Sequence, residues 1–114
     1  KAQALATGFI DLGNISGCGF DSLADRSFNL IVNATSAGLE GEVPPFPTSI
    51  LGPDTVCYDL SYSMRDTPFV SWAKDNGCTQ AYQGWGMLIE QAAEAFAIWR
   101  GVRPDTTEVR RRLP

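Results

Sequence analysis

Three short runs of apolar, β-branched and aromatic residues recur along this 114-residue chain: residues 28–33 (Phe-Asn-Leu-Ile-Val-Asn), 55–60 (Thr-Val-Cys-Tyr-Asp-Leu) and 79–83 (Thr-Gln-Ala-Tyr-Gln). Helical patterns follow the second and the third. Strands spaced in this way around helices do not close as tight hairpins; each needs a crossover to a parallel neighbour. The expected fold class is therefore α/β, a parallel sheet flanked by helices. The first run is almost wholly apolar, as for a strand covered on both faces. In such folds ligands sit outside the carboxyl ends of the strands. Topology alone thus singles out Asn33, Ala34, Thr35 and Ser36, then Ser61, Tyr62 and Ser63, and then Gly84, Trp85 and Gly86.

The other elements are read from periodicity and punctuation. Ala2, Leu5, Ala6, Phe9 and Leu12 share a helical face, and Gly13-Asn14 supply the stop. A further short strand is expected over the glycine-rich residues 16–20. Residues 38–47 carry three prolines and read as a loop, followed by a single helical turn at 48–51. Thr67-Pro68 form an N-cap with proline at the first helical position. Phe69, Val70, Trp72 and Ala73 give that helix its buried face, and Asn76-Gly77 close it. The longest helix is expected over 87–100, stopped at Gly101. After Pro104, Asp105-Thr106-Thr107-Glu108 has the form of a capping box, with Arg110, Arg111 and Arg112 placed favourably at the far end of a last short helix.

Composition removes several functions. The chain has no histidine, which excludes Ser-His-Asp and Cys-His catalysis and most zinc sites. Nine Lys+Arg against 13 Asp+Glu give a net charge of −4, unfavourable for non-specific binding to nucleic acid or anionic membranes, although the three arginines form a local patch. No run of 18 apolar residues is present to cross a membrane. Cys18, Cys57 and Cys78 lack metal-knuckle spacing and read as reduced thiols of a cytoplasmic protein, two of them in apolar runs. No metal site is expected. A chain that opens into a helical pattern without an initiator Met is expected to be a piece of something longer.

Each candidate has a chemical reading and a plain one. Asn33, Ala34, Thr35 and Ser36 are small or polar, so a ligand can lie against the backbone and meet amide and hydroxyl groups; an ordinary polar turn has the same composition. Tyr62 either donates a hydrogen bond into a cleft or leans on the sheet. Gly84 and Gly86 either admit a cofactor close to a helix N-terminus or make a tight strand-to-helix turn. Gln91 interrupts the stripe of Leu88, Ala95, Ile98 and Trp99; it is either a carboxamide awaiting a ligand hydroxyl or a polar group on the helix shoulder. Asp59, inside an apolar strand, suits capping of a neighbouring loop better than base catalysis. No carboxylate pair or activated nucleophile emerges, and the chain looks like a binding half without a catalytic group.

Taken in order, Asn-Ala-Thr-Ser-Ala-Gly, Tyr-Asp-Leu-Ser-Tyr-Ser, Thr-Pro-Phe, Gly-Trp-Gly-Met-Leu-Ile-Glu-Gln-Ala-Ala-Glu-Ala-Phe and Trp-Arg-Gly-Val-Arg-Pro closely resemble the C-terminal half of the shikimate dehydrogenases. These are NADP-dependent enzymes that reduce 3-dehydroshikimate to shikimate in aromatic amino-acid biosynthesis. The resemblance runs from Lys1 to the last helix and covers less than half of a typical member. It implies an incomplete Rossmann-like sheet over residues 1–114, with the last helices (about 87–113) packing towards an N-terminal substrate domain. It further implies that Lys1 matches the last position of the clamp on the adenosine 2′-phosphate. By the same resemblance Asn33, Ala34, Thr35, Ser36, Leu60, Gly84 and Met87 lie along the cofactor, and Tyr62 and Gln91 hold the shikimate hydroxyls.

The family's glycine-rich pyrophosphate loop, the Asn-Arg-Thr of its phosphate clamp and its catalytic Lys-Asp pair have no counterpart here, so the chain alone is expected to be inactive. In a 3-2-1-4-5-6 order it would retain strands 3 to 6. The run at 16–20 would lack a neighbour, and the strand at 28–33 would expose an apolar edge, a template for dimerisation or for a swap of the first helix. Two alternatives stand beside this reading: a quinate/shikimate dehydrogenase relative using NAD or NADP, and a non-catalytic fragment that only folds or self-associates.

Overall fold

A computed structural model describes residues 1–113. In order these form helix α1 (Ala2–Gly8), strands β1 (Phe28–Asn33) and β2 (Leu51–Asp59), helix α2 (Pro68–Asp75), strand β3 (Gln80–Tyr82), and helices α3 (Trp85–Arg100) and α4 (Thr107–Arg111). Single 3-10 turns occupy Ile10–Leu12, Phe20–Leu23, Ala37–Glu40 and Thr48–Ile50. The strands make one parallel sheet in the order β1-β2-β3, the expected α/β class.

Register divides the sheet into two unlike faces. Ile31, Cys57 and Ala81 align across the strands and point to one side. There α2 covers them, and the buried core is Cys57, Phe69, Ala73 and Cys78, ringed by Ile31, Phe46, Leu51, Trp72 and Ala81. Helix α2 forms as its sequence dictates: the Thr67 hydroxyl accepts from the Val70 amide at 3.3 Å, and Gly77 leaves the helix at φ +89°. Burial and the adjacent Cys78 push the Cys57 thiol up to about 12. Leu30, Val56 and Gln80, and then Val32, Tyr58 and Tyr82, align on the opposite face. That side is open, with Leu30 58% and Val32 49% exposed.

Three local expectations fail here, each for a physical reason. The run at 16–20 is not a strand; its end joins a 3-10 turn. A strand needs a bonding neighbour, and none lies beside it; Gly17 instead abuts the start of α1, where a Cβ would stand 2.3 Å from the Ala2 carbonyl oxygen. β1 is not covered on both faces, because no helix packs on its Leu30–Val32 side. The capping box does not form either. Asp105 Oδ1 does accept from the Thr107 amide at 2.9 Å, but Glu108 turns to Arg112 instead of back to the Asp105 amide, and the Thr106 hydroxyl donates to Glu90 Oε1 at 2.9 Å.

The Thr106–Glu90 bond belongs to an ionic staple between α3 and α4. Glu90 receives Arg103 at 2.8 Å and Arg110 at 3.5 Å as well as Thr106, and Arg103 also pairs with Glu94. Arg111 and Arg112 lie on Glu108 at 4.0 and 2.8 Å, so the arginine patch is largely neutralised within the chain. The Thr106 hydrogen bond, joined by the two guanidinium groups, holds the Glu90 carboxyl below its ordinary value of 4.5. A carboxyl depressed in the folded state stabilises it fully above the ordinary value and loses that contribution as pH falls through the depressed one. The thermal midpoint of α3–α4 should therefore fall on acidification below about pH 4.5, and Glu90→Gln should flatten that fall; helix ellipticity against temperature, recorded from pH 6 to pH 2.5, checks it.

Candidate functional site

The carboxyl ends of the three strands are knitted into one shelf. The Leu60 amide donates to the Asn33 carbonyl at 3.0 Å, joining the exits of β1 and β2. The Gly84 amide donates to the Ser61 carbonyl at 2.9 Å, joining the exits of β2 and β3. Gly84 is required at that junction, because a Cβ there would stand 2.4 Å from the Leu60 carbonyl oxygen. The tight strand-to-helix turn, the plain reading of the Gly-Trp-Gly segment, is what is observed, and it brings bare backbone to the strand ends.

Side chains hold the shelf from beneath. Asp59, fully buried, accepts from Asn33 Nδ2 at 3.2 Å, from the Ser61 amide at 3.0 Å and from the Thr67 hydroxyl at 2.6 Å. Asn33 Oδ1 in turn accepts from the Thr35 amide at 3.2 Å and the Thr35 hydroxyl at 2.8 Å. Asp59 is thus a loop and helix-cap acceptor, as its position in an apolar strand suggests. Ala34, Thr35 and Ser36 are exposed at the rim, and Leu60 is half-buried.

Tyr62 is 44% exposed and rests against Trp85, with ring centres 4.8 Å apart. Trp85 Nε1 donates to the Ser63 carbonyl at 3.2 Å, and the Gln83 side-chain carbonyl accepts from the Ser63 amide at 2.8 Å. Sequence reasoning read Thr67 only as a helix cap and did not single out Gln83; a tertiary partner gives each its further role, Asp59 for Thr67 and the Ser63 amide for Gln83. Gly84, Met87 and Gln91 follow one another at i+3 and i+4 and therefore lie along one stripe of α3. Gln91 is exposed on that stripe. Lys1 is exposed ahead of α1, a helix that packs chiefly on the segment following it. A cleft of about 420 Å³ beside the β3–α3 junction, lined by Arg65, Lys74, Tyr82, Gln83 and Trp85 among others, includes none of the residues assigned to cofactor or substrate. No grouping of acidic, cysteine or histidine side chains suited to a metal occurs among the described residues.

Comparison with known proteins supports the resemblance read from the motifs. The family described as Shikimate 5'-dehydrogenase C-terminal domain matches residues 84–113. The chain is 54% identical over 108 residues to the shikimate dehydrogenase (NADP(+)) of Methylococcus capsulatus, covering 95% of this chain and 39% of that protein. It is 50% identical over 113 residues to the enzyme of the same name from Aeromonas salmonicida, covering 99% and 41%. The chain thus spans about two-fifths of the length of these relatives. Among solved structures, an Ael1 enzyme from Pseudomonas putida superposes with a TM-score of 0.84 at 43% identity, over 96% of this chain and 41% of that one. A Thermus thermophilus shikimate 5-dehydrogenase in complex with NADP(H) and shikimate gives 0.70 at 28% identity, over 92% and 40%. The three parallel strands are accordingly part of a Rossmann-like sheet.

Gly84→Ala should cost about 1–3 kcal/mol of stability through overpacking against the Leu60 carbonyl. Urea unfolding of the variant beside the parent chain measures this; an unchanged midpoint would mean that the β2 and β3 exits separate freely.

Proposed function

We propose that this chain supplies the C-terminal, cofactor-binding part of an NADP-dependent shikimate dehydrogenase, which reversibly reduces 3-dehydroshikimate to shikimate. One observation carries the reading: the strand ends expected to meet cofactor and substrate are hydrogen-bonded into a single shelf, in a chain similar to such enzymes along nearly all of its length. The residues present suit the nicotinamide end of a dinucleotide. Small, exposed groups at Ala34, Thr35 and Ser36 leave room beside the backbone, and Gly84 keeps a side chain away from the Leu60 carbonyl.

In this reading Asn33, Ala34, Thr35, Ser36, Leu60, Gly84 and Met87 hold the cofactor, Lys1 contributes charge near its 2′-phosphate, and Tyr62 and Gln91 hydrogen-bond the substrate hydroxyls. NADP supplies the hydride when bound, and this chain's residues orient the two partners; none of them is assigned to move the proton. Ile98 and Trp99, 75% and 78% exposed on α3, suit a surface that meets a substrate domain. Calorimetric titration with NADPH and with shikimate, each alone, tests the reading. Saturable binding of both is expected, with shikimate weakened about tenfold by Tyr62→Phe or Gln91→Ala, the loss of roughly one buried hydrogen bond. No saturable binding of either ligand would remove the reading.

A second reading, self-association of the isolated chain, is favoured by the outer edge of β1. Because Asn33 bonds towards β2, the N–H and C=O groups of Leu30 and Val32 face away from it, and both side chains are exposed. A second copy of this chain, pairing along β1, would cover that row. Sedimentation should then show a concentration-dependent dimer; a monomer at high concentration with the β1 amides protected would exclude it.

A further inference from the structure

We propose that Asp59 is a positioning residue that ties the cofactor-side and substrate-side loops together, so that the two half-sites keep one fixed separation and move as one body. The inference rests on the assignment of Asn33, Thr35 and Tyr62 under the proposed function. An unbroken series of side-chain bonds crosses the shelf. Thr35 donates to Asn33, Asn33 donates to Asp59, and Asp59 accepts from the amide of Ser61, the residue before Tyr62.

Division of labour between the two carboxylate oxygens makes this more than a helix cap. Oδ1 takes both site-side donors, Asn33 Nδ2 and the Ser61 amide, whereas Oδ2 takes only the Thr67 hydroxyl at the start of α2. Among the described residues no lysine or arginine forms an ion pair with Asp59, so hydrogen-bond donors alone satisfy its charge. Three donors converge on a group that can only accept, in a site closed to solvent, where any loop movement strands a buried polar atom. Displacing the Asn33 loop therefore penalises the Ser61–Tyr62 loop, and the reverse.

Three variants separate positioning from simple support of the fold. Asp59→Ala removes both sides of the network. Asp59→Asn retains Oδ1 for Asn33 and Ser61 and turns an NH2 towards Thr67. Thr67→Val removes the helix side only. Amide exchange of the chain should quicken about tenfold at Thr35 and Ser61 together in Asp59→Ala. It should stay near the parent rate at both in Asp59→Asn and in Thr67→Val, although Thr67→Val lowers the thermal midpoint. In the full-length enzyme that carries this chain, KM for shikimate and KM for NADP+ should rise together in Asp59→Ala and in neither of the other two. Unchanged exchange, quickening at only one of the two amides, or an equal effect from Thr67→Val would overturn the proposal. Should Asp59→Ala fail to fold, Asn33→Ala breaks the same series at its other end, and an unmoved Ser61 amide there would be equally fatal. Absence of ligand binding by the parent chain would remove the functional assignment, while the exchange pattern still decides the coupling.

Discussion

One buried carboxylate holds the strand-exit end of this molecule together. Taking Asp59 out of water is unfavourable unless donors replace its hydration, and Asn33, Ser61 and Thr67 do so from three different segments. The exit of β1, the loop after β2 and the first turn of α2 are thereby fixed relative to one another. The backbone bonds from Leu60 to Asn33 and from Gly84 to Ser61 extend the arrangement to β3 and α3. Every residue assigned to the nicotinamide end or to the substrate therefore sits on, or one or two turns along α3 from, a framework that begins at Asp59.

The rest of the chain is less complete. A folded monomer of this mass would expose about 6,100 Å² and have a radius of gyration near 13 Å, whereas this chain exposes 8153 Å² and has a radius of 16.6 Å. The difference lies where apolar residues face outward: the Leu30–Val32 side of β1, the helix α1 with Leu5 and Phe9, and the Ile98–Trp99 end of α3. The buried core is one-sided, between the sheet and α2. That asymmetry agrees with a chain spanning about two-fifths of its relatives, since a doubly wound sheet carries a layer on each face and only the α2 side has one here among the described residues.

Legibility in the sequence followed the range of the interactions involved. The Thr67-Pro68 cap, the Gly77 and Gly101 stops and the β-branched runs depend on neighbours within a few residues; the caps, stops and first strand are found where they were read, while the second strand reaches back to Leu51 and the third shortens to Gln80–Tyr82. The strand-end segments were found by topology, which needs only the order of elements. The capping box was half right: Asp105 accepts from the Thr107 amide, but Glu108 turns to Arg112. The strand at 16–20 and the covering of β1 were misread because each depends on what lies across space, a bonding neighbour and a packed helix. Gln91 was ambiguous for the same reason, since a helical stripe shows which residues align but not which side meets solvent.

By itself, the sequence determined the parallel α/β class, the Thr67 cap and the Gly77 and Gly101 stops, the glycine at the β3–α3 junction and the segments that gather at the carboxyl ends, because local sterics and periodicity decide these. Tertiary structure alone decided that Asp59 and Asn33, 26 residues apart, share a bond, that the Thr106 hydroxyl donates to Glu90, and that one face of the sheet stays open. Those outcomes turn on which donors and apolar surfaces meet in space. A buried charge or an exposed strand has its energy set by that meeting, and residue type in one dimension does not specify it.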